Sequence, residues 1–583
     1  MVQGRKAFVA VSCLLVLGLL LASCAPAVAP TATPKPAAPP ESKAPAAAPT
    51  TPPTSKAPAA APTPQPAAPK PAAPAATPKP AAEAPRYGGV LTIAHPGNPP
   101  EMDPWEMTTI STLALNGPVY SQLFQFDPFD NEEAVPDLVE KWEFSPDNKT
   151  VTLHLRKGVK WHDGTPFSAA DVKYSIDFMM DKKNPKVARK LLNLIAIDKV
   201  EVVDADTAKL ILRAPSASLL PQLALPHSAI GPKHVAEKAA KAASALDWTV
   251  VGTGPMKYKT FVKDSFYEVV KNPDYFIKGR PYLDGIRFFI VTDMATRFAA
   301  FRTGQILLTA PNLGLTPPQA ETAAKEVKGV RIEKHPRGMF DGFFMNPDRK
   351  PWGDARIRKA VNLATDRDAA IKALGEGIGD YGSPVVPGPF ALPKDEVMKT
   401  PGYRQPKDAD RAEAKKLMAE AGFPDGFKSS VMARSWSQYT RIAEFMKDQA
   451  SKIGIDLTLE VVEQSVERAR RFGATPDWNT LVATAAVDNT DPAGANKYFL
   501  KGNDFNFYDK EVDELWQKQD AIMDPAERKK VVFQAQRRFL EVSGWVVLFW
   551  ATNITGVWPQ VKNFKPGSGN YTNLKHENTW LAK

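Results

Sequence analysis

The chain has 583 residues, 43% of them hydrophobic and 24% charged, with a formal net charge of +10. That basicity sits at one end: residues 1–86 carry eight Lys/Arg against two Asp/Glu, leaving 66 basic and 62 acidic side chains, a charge of +4, in residues 87–583. A body so nearly neutral, with its charges dispersed, has no electrostatic footprint for nucleic acid, and no such partner is expected.

Arg5 and Lys6 precede an apolar run from Ala7 to Leu21, followed by the small residues Ala22 and Ser23 and then Cys24. This is the layout of an export signal over residues 1–23. The run is about 15 residues, short of the roughly 20 that cross a hydrocarbon core, so it is not expected to remain as a membrane helix. Leu21-Ala22-Ser23-Cys24 resembles the bacterial lipobox, which implies a lipid on Cys24, a mature chain starting there, and an extracytoplasmic protein anchored to the membrane. The only other cysteine, Cys13, lies within the signal, which excludes disulfides, Cys–Zn sites and Cys nucleophiles from the mature body.

Residues 24–86 form a tether. Between Ala25 and Pro85 stand 20 of the 55 prolines, and the nine residues from Ser42 to Thr50 recur from Ser55 to Thr63. Such a segment cannot bury a core; it favours extended polyproline II and reaches on the order of 100–190 Å, depending on how often it bends.

The body that follows exceeds the size at which one core stops growing, so at least two lobes are expected. Val151, Leu153 and Leu155 alternate with Thr152, His154 and Arg156, the period of a half-buried strand with His154 off the core face. Ser168 and Asp171 cap a helix predicted from about 169 to 181, with Val172, Ile176 and Met179 inward. Asp354 opens a second helix carrying Ile357, Val361 and Ala364; a third, with Ala412, Leu417 and Met418, stops at Gly422. From 437 to 462 a helical stripe (Ile442, Phe445, Met446, Ala450, Ile453) ends at Gly454, and Ile455, Leu457, Leu459 and Val461 then alternate, which implies an α/β lobe. Asp524-Pro525-Ala526-Glu527 starts a last helix with Val531, Val532, Ala535 and Phe539, and the run Val546–Trp550 reads as a buried strand.

Little here speaks for catalysis or metal. The seven histidines, at 95, 154, 162, 227, 234, 335 and 576, show no His-x-x-x-His or Glu-x-x-His spacing, so no metal site and no cofactor is expected. Asp163 next to Gly164 is turn chemistry. Gly252-Thr253-Gly254-Pro255 lacks the Lys-Ser/Thr of a phosphate loop and reads as a tight connection, and no Gly-x-Ser-x-Gly elbow occurs.

The body resembles the family 5 solute-binding proteins of ABC importers, the oligopeptide, dipeptide and nickel receptor group. The resemblance rests first on Leu138-Val-Glu-Lys-Trp142-Glu-Phe-Ser145-Pro-Asp147 and on Leu153 through Lys157-Gly158-Val-Lys-Trp161-His-Asp163-Gly164-Thr-Pro166. In order after these come Gly252–Pro255, Asn272-Pro-Asp-Tyr275, Asp354-Ala-Arg-Ile-Arg-Lys-Ala360, Thr365-Asp-Arg367 and Asp524-Pro-Ala-Glu-Arg528, and Gly304-Gln-Ile-Leu307 departs from the usual acidic pattern.

The resemblance implies an α/β, two-lobed periplasmic-binding-protein-like fold of the type II, three-domain large cluster, hinged around a ligand cleft. It divides the body into lobe I (87–127, 246–333 and 546–583), domain II (128–245) and lobe III (334–545). It also implies a monomeric, non-enzymatic receptor that captures peptides and passes them to an ABC permease, with an oligosaccharide receptor of the same family as the alternative. A hydrolase or a chaperone displayed on the same stalk are readings of other classes. In Ala486-Val-Asp488-Asn-Thr-Asp491-Pro492 the resemblance assigns Asp488 to the peptide's α-ammonium; otherwise Asp488 merely caps its loop. The strand before it, with the small residues Thr484, Ala485 and Ala486, offers backbone groups to an extended ligand and room for bulky side chains. Trp436, beside Arg434 and Ser435, offers a stacking face, and Thr112 marks the stretch of lobe I expected to line the cleft.

Overall fold

The computed structural model describes residues 83–582 apart from 100–101, 106–109, 130–132, 182–195, 240–249, 311–313, 474 and 568–572. The export signal, Cys24 and nearly all of the tether lie outside the described residues.

The chain enters on β1 (Val90–His95) and leaves it for an antiparallel sheet made of β2 (Val139–Phe144), β3 (Thr150–Leu155), β4 (Ile197–Asp204) and β5 (Thr207–Leu212), in the order β2-β3-β5-β4. Val151, Leu153 and Leu155 are buried and His154 is half-buried, as the alternation predicts. Helix α1 (Ala169–Met180) covers this sheet with Val172, Ile176 and Met179 inward. Its acidic N3 residue is buried for a reason: the Asp171 carboxylate accepts from the Ser168 N–H (3.0 Å) and from the Lys233 N–H (3.2 Å).

Strands β6 (Met256–Val262), β7 (Phe266–Lys271) and β8 (Gly285–Ile290) then return to β1 in the order β1-β8-β7-β6, with β1 and β8 parallel. The Gly252–Gly254 connection is packed backbone to backbone: a Cβ on Gly252 would stand 1.9 Å from the Val119 carbonyl oxygen. His162 seals it, its Nδ1 accepting from the Gly252 N–H (3.2 Å) while Nε2 lies 3.0 Å from the Gly254 carbonyl oxygen. Burial there pushes the His162 imidazole down to about 4.

The remaining chain builds one five-stranded sheet. Its elements are β9 (Arg331–Met345), α2 (Ala355–Ala364), α3 (Asp408–Glu420), β10 (Phe427–Arg434), α4 (Ser437–Ser451), β11 (Ile455–Val462), α5 (Gln464–Phe472), β12 (Thr480–Ala486), α6 (Lys510–Asp520), α7 (Pro525–Val542) and β13 (Trp545–Val557). The strand order is β11-β10-β12-β9-β13. One face packs Phe343, Val431, Val482 and Val546 against α2 and α4; the other packs Phe340, Phe344, Leu481 and Trp545 against Trp516 and Phe539 of α6 and α7. Helices on both faces explain why Val546–Trp550 is apolar throughout rather than alternating.

Two readings of pattern need correction. Ala412 is exposed, and the inward stripe of α3 is Asp410, Ala414 and Met418, because Asp410 is drawn in by Arg404, Lys407 and the Gly402 N–H. In β11, Ile455 and Leu457 are buried, but Val461, near the end of this edge strand, is 50% exposed.

Strands β9 and β13 carry the chain from one part of the body to the other. Their outer halves pair from Arg331–Val557 to Pro336–Thr552, and Leu308 bridges Val557 to Ile93 of the first sheet. The ladder breaks between Pro336 and Phe340, then resumes inside the five-stranded sheet.

Candidate functional site

In an open α/β sheet, ligands bind in the crevice outside the carboxyl ends of parallel strands, where successive connections part. Here β12 and β11 flank β10 in parallel, although β11 comes between β10 and β12 in sequence. Their carboxyl ends, Arg434, Val462 and Ala486, therefore open on one side, next to the broken stretch of β9. A group of polar side chains gathers there.

At its centre is Asp341 on β9. Thr484 Oγ1 donates to its Oδ1 at 2.5 Å, and Gln438 Nε2, in the first turn of α4, donates to Asp341 Oδ1 at 3.3 Å and to Thr484 Oγ1 at 3.1 Å. Burial pushes the Asp341 carboxyl above its ordinary range, against the opposing pull of the Thr484 hydroxyl and the Arg337 charge. Arg337, in the break of β9, lies within electrostatic reach of Asp341 and Tyr439, and burial pushes its guanidinium down.

Arg434 closes β10 and donates through Nε (3.1 Å) and Nη2 (2.9 Å) to Glu467 of α5. Its guanidinium carbon lies 5.8 Å from the Trp436 ring and 5.4 Å from that of Tyr439. Trp436 stands at the N-cap of α4 and is 50% exposed, the aromatic face that the sequence singled out.

The loop after β12 assigns separate tasks to its acids. Asp491 and Asn489 do the capping: Asp491 accepts from the Ala493 N–H (2.9 Å), and Asn489 Oδ1 from the Asp491 N–H (3.1 Å). Asp491 also takes both arms of Arg528, at 2.6 and 2.9 Å. Asp488 is left out of this capping and pairs with Lys497 at 3.5 Å.

Of the three small residues on β12, Thr484 sits in the polar group and Ala485 points into the opposite apolar core, so Ala485 can offer a ligand only its backbone. Ala486 is half-buried, and its carbonyl accepts from the Tyr498 hydroxyl at 2.5 Å. One edge of β12 is paired throughout with β9, whereas on the other only Thr480 and Leu481 face β10. Beyond Leu481 that edge has no strand partner among the described residues. Thr112, on the short helix Ile110–Asn116, is fully buried.

Sequence reasoning missed Arg337, Asp341, Gln438 and Lys497. A usable signal was present for Asp341, which interrupts the run of Met339, Phe340, Phe343, Phe344 and Met345, and a polar break in a buried stretch of strand marks a functional place; Arg337 follows Glu333, Lys334 and His335 and carries no such signal.

Comparison with known proteins places this geometry. The family of bacterial extracellular solute-binding proteins, family 5 Middle, matches residues 133–507. The glutathione-binding protein GsiB of Salmonella choleraesuis is 29% identical over 496 residues, covering 80% of this chain and 91% of that protein. Among solved structures, the periplasmic binding protein DppA of Helicobacter pylori, in complex with the peptide STSA, is 26% identical with a TM-score of 0.71, covering 85% of this chain and 99% of that one. AgaA of A. tumefaciens R10, in complex with agropinic acid, is 28% identical with a TM-score of 0.68 over the same shares of the two chains. The fold is the two-lobed α/β type of these binding proteins, and no helix among the described residues is long and apolar enough to cross a membrane. With its family matched over more than half its length, the chain belongs to the bacterial extracellular solute-binding proteins of family 5.

Proposed function

We propose that this protein is the receptor of an ABC importer for short peptides, held outside the cell by a lipid on Cys24 and handing its ligand, unaltered and as a monomer, to a membrane permease. The observation that carries the peptide reading is the unpaired edge of β12 beside Asp488. An extended ligand can run its backbone along Val482–Ala486 while its ammonium meets the Asp488 carboxylate, a recognition mode tolerant of side-chain sequence. The STSA peptide in the DppA relative supports the same reading. Division of the body into lobe I, domain II and lobe III at the boundaries given by the sequence belongs to this proposal, with closure about β9 and β13 as the motion.

Calorimetry against di- to tetrapeptides, glutathione and neutral oligosaccharides tests it. Micromolar or tighter binding of free peptides, with loss on N-acetylation, is the expected outcome. A second reading, an oligosaccharide receptor, draws on the exposed ring of Trp436; binding of glycans with no response to any peptide would replace the first reading by this one.

A further inference from the structure

Charged groups at the site are matched almost completely within the protein. Glu467 is held by Arg434 and Arg471, Asp488 by Lys497, Asp491 by Arg528. Arg337 and Asp341 are the exceptions: Asp341 has only the neutral donors Thr484 and Gln438, and Arg337 makes no hydrogen bond and no ion pair among the described residues, with its Nε fully buried and without an acceptor. Other interior arginines have acceptors for at least part of the guanidinium, even where Nε is likewise unsatisfied, as it is in Arg358. Arg367 donates to the carbonyls of Val547 (2.8 Å), Asn362 (3.3 Å) and Gly402 (2.5 Å), and Arg358 to those of Trp352 and Gly353, each at 2.9 Å.

A guanidinium carries five donors and remains charged, so one that is taken largely out of water with nothing to donate to is costly and calls for an acceptor. Asp341 does not fill that role as placed: it lies within electrostatic reach of Arg337, but no hydrogen bond or ion pair joins the two, and its Oδ1 is taken by Thr484 and Gln438. The backbone holds Arg337 in position. It occupies the break of β9, next to Gly338 at φ +68°, whose carbonyl accepts from the Val487 N–H at 2.8 Å. That bond ties the residue after Arg337 to the residue before Asp488, which places Arg337 beside the loop of Asp488.

We infer that Arg337 is an anion-recognition residue of this receptor, receiving a ligand carboxylate while Asp488 receives the ligand's ammonium. The inference rests on the proposed peptide reading and narrows it. The ligand class is a small amphoteric molecule with both groups, its carboxylate being either the chain terminus or an acidic side chain. A planar fork facing a planar oxyanion gives two parallel bonds, and this geometry rejects ligands that lack the carboxylate, neutral glycans among them.

The test compares wild type, Arg337→Met and Arg337→Lys in calorimetry with trialanine, trialanine amide, alanyl-glutamate amide, glutathione and the opine agropinic acid. Expected is a loss of about 10- to 150-fold for carboxylate ligands in Arg337→Met, a partial loss in Arg337→Lys, and no further loss for trialanine amide, which already binds wild type weakly. Tight binding of alanyl-glutamate amide would assign the site to an acidic side chain, and tight binding of trialanine alone to the chain terminus. Ligand-free Arg337→Met should melt no lower than wild type, since it removes a guanidinium that has no hydrogen bond or ion pair and whose burial outweighs the pull of Asp341, whereas a merely structural arginine would lower the Tm. Equal affinity of wild type and Arg337→Met for trialanine and for alanyl-glutamate amide alike overturns the inference while leaving the peptide reading intact. Should no peptide bind but agropinic acid bind in an Arg337-dependent manner, the peptide reading falls and the inference stands. Binding of carboxylates without dependence on Arg337, or no binding of any of these ligands, overturns it.

Discussion

Asp488, the proposed partner of a ligand ammonium, is already matched by Lys497. A carboxylate in a closing cleft needs a cation, and in this structure its own chain supplies one at 3.5 Å. A ligand ammonium therefore replaces or joins an existing contact, so Asp488→Ala should weaken peptide binding by about 2 kcal/mol, the lower end of what truncating a buried charge pair costs. Unchanged affinity in calorimetry would take Asp488 out of the site. Two buried histidines contribute to acid stability. His162 and His576 are both pushed to about 4 by burial. Unfolded, each binds its proton near 6.5, so between pH 6.5 and 4 the unfolded chain holds more protons and stability falls as pH is lowered. The loss is on the order of a few kcal/mol per histidine and levels off below pH 4. Urea melts from pH 7 to 4 on wild type and His162→Asn should show a shallower slope in the variant; identical slopes would mean that His162 does not contribute.

Elements were legible where their signals are local. Capping Asp354 and Asp524 accept from the first turns of α2 and α7, and Gly422, at φ +89°, follows the end of α3, all as their sequence spacing predicts. The αβ unit from α4 to β11 was equally plain, yet the strand that leads into it, β10, depends on a contact between distant glycines. Gly426, which leads into β10, has φ +82° and a position at which a Cβ would stand 1.8 Å from the Gly454 carbonyl oxygen. Gly426→Ala should therefore destabilise the body by about 2–4 kcal/mol, read as a lower denaturation midpoint at unchanged m-value. A midpoint within error of wild type would show that the strand entry relaxes without cost. The exposure of Val461 and of Ala412, by contrast, was not legible, because a period marks an apolar face and does not say where a sheet ends or which charge is drawn inward.

Across the molecule, the segment before residue 220 meets the end of α6. Ser216 Oγ donates to Asp520 Oδ2 (2.8 Å), the Ser218 N–H to Oδ1 (3.1 Å) and the Ala217 N–H to the Asp520 carbonyl (2.7 Å). Asp520 also lies 3.8 Å from Arg528, which holds Asp491 in the loop of Asp488. Asp520→Ala should speed amide exchange across Ser216–Leu223 and enlarge the radius of gyration in solution scattering; if both match wild type, this contact does not hold the parts together. None of it follows from a single segment, since Ser216 and Asp520 are remote in sequence and carry no local signal of each other. By itself, the sequence determined the α/β class, the neutral body, and the helices and strands whose caps and apolar periods lie within a few residues, since these depend on local sterics and on one buried face. Tertiary structure alone decided that Arg337 has no acceptor among the described residues, that Asp341 is shared by Thr484 and Gln438, and that Ala485 faces the core. Burial and hydrogen-bond satisfaction are properties of surroundings assembled from β9, β12 and α4, and no stretch of chain carries them alone.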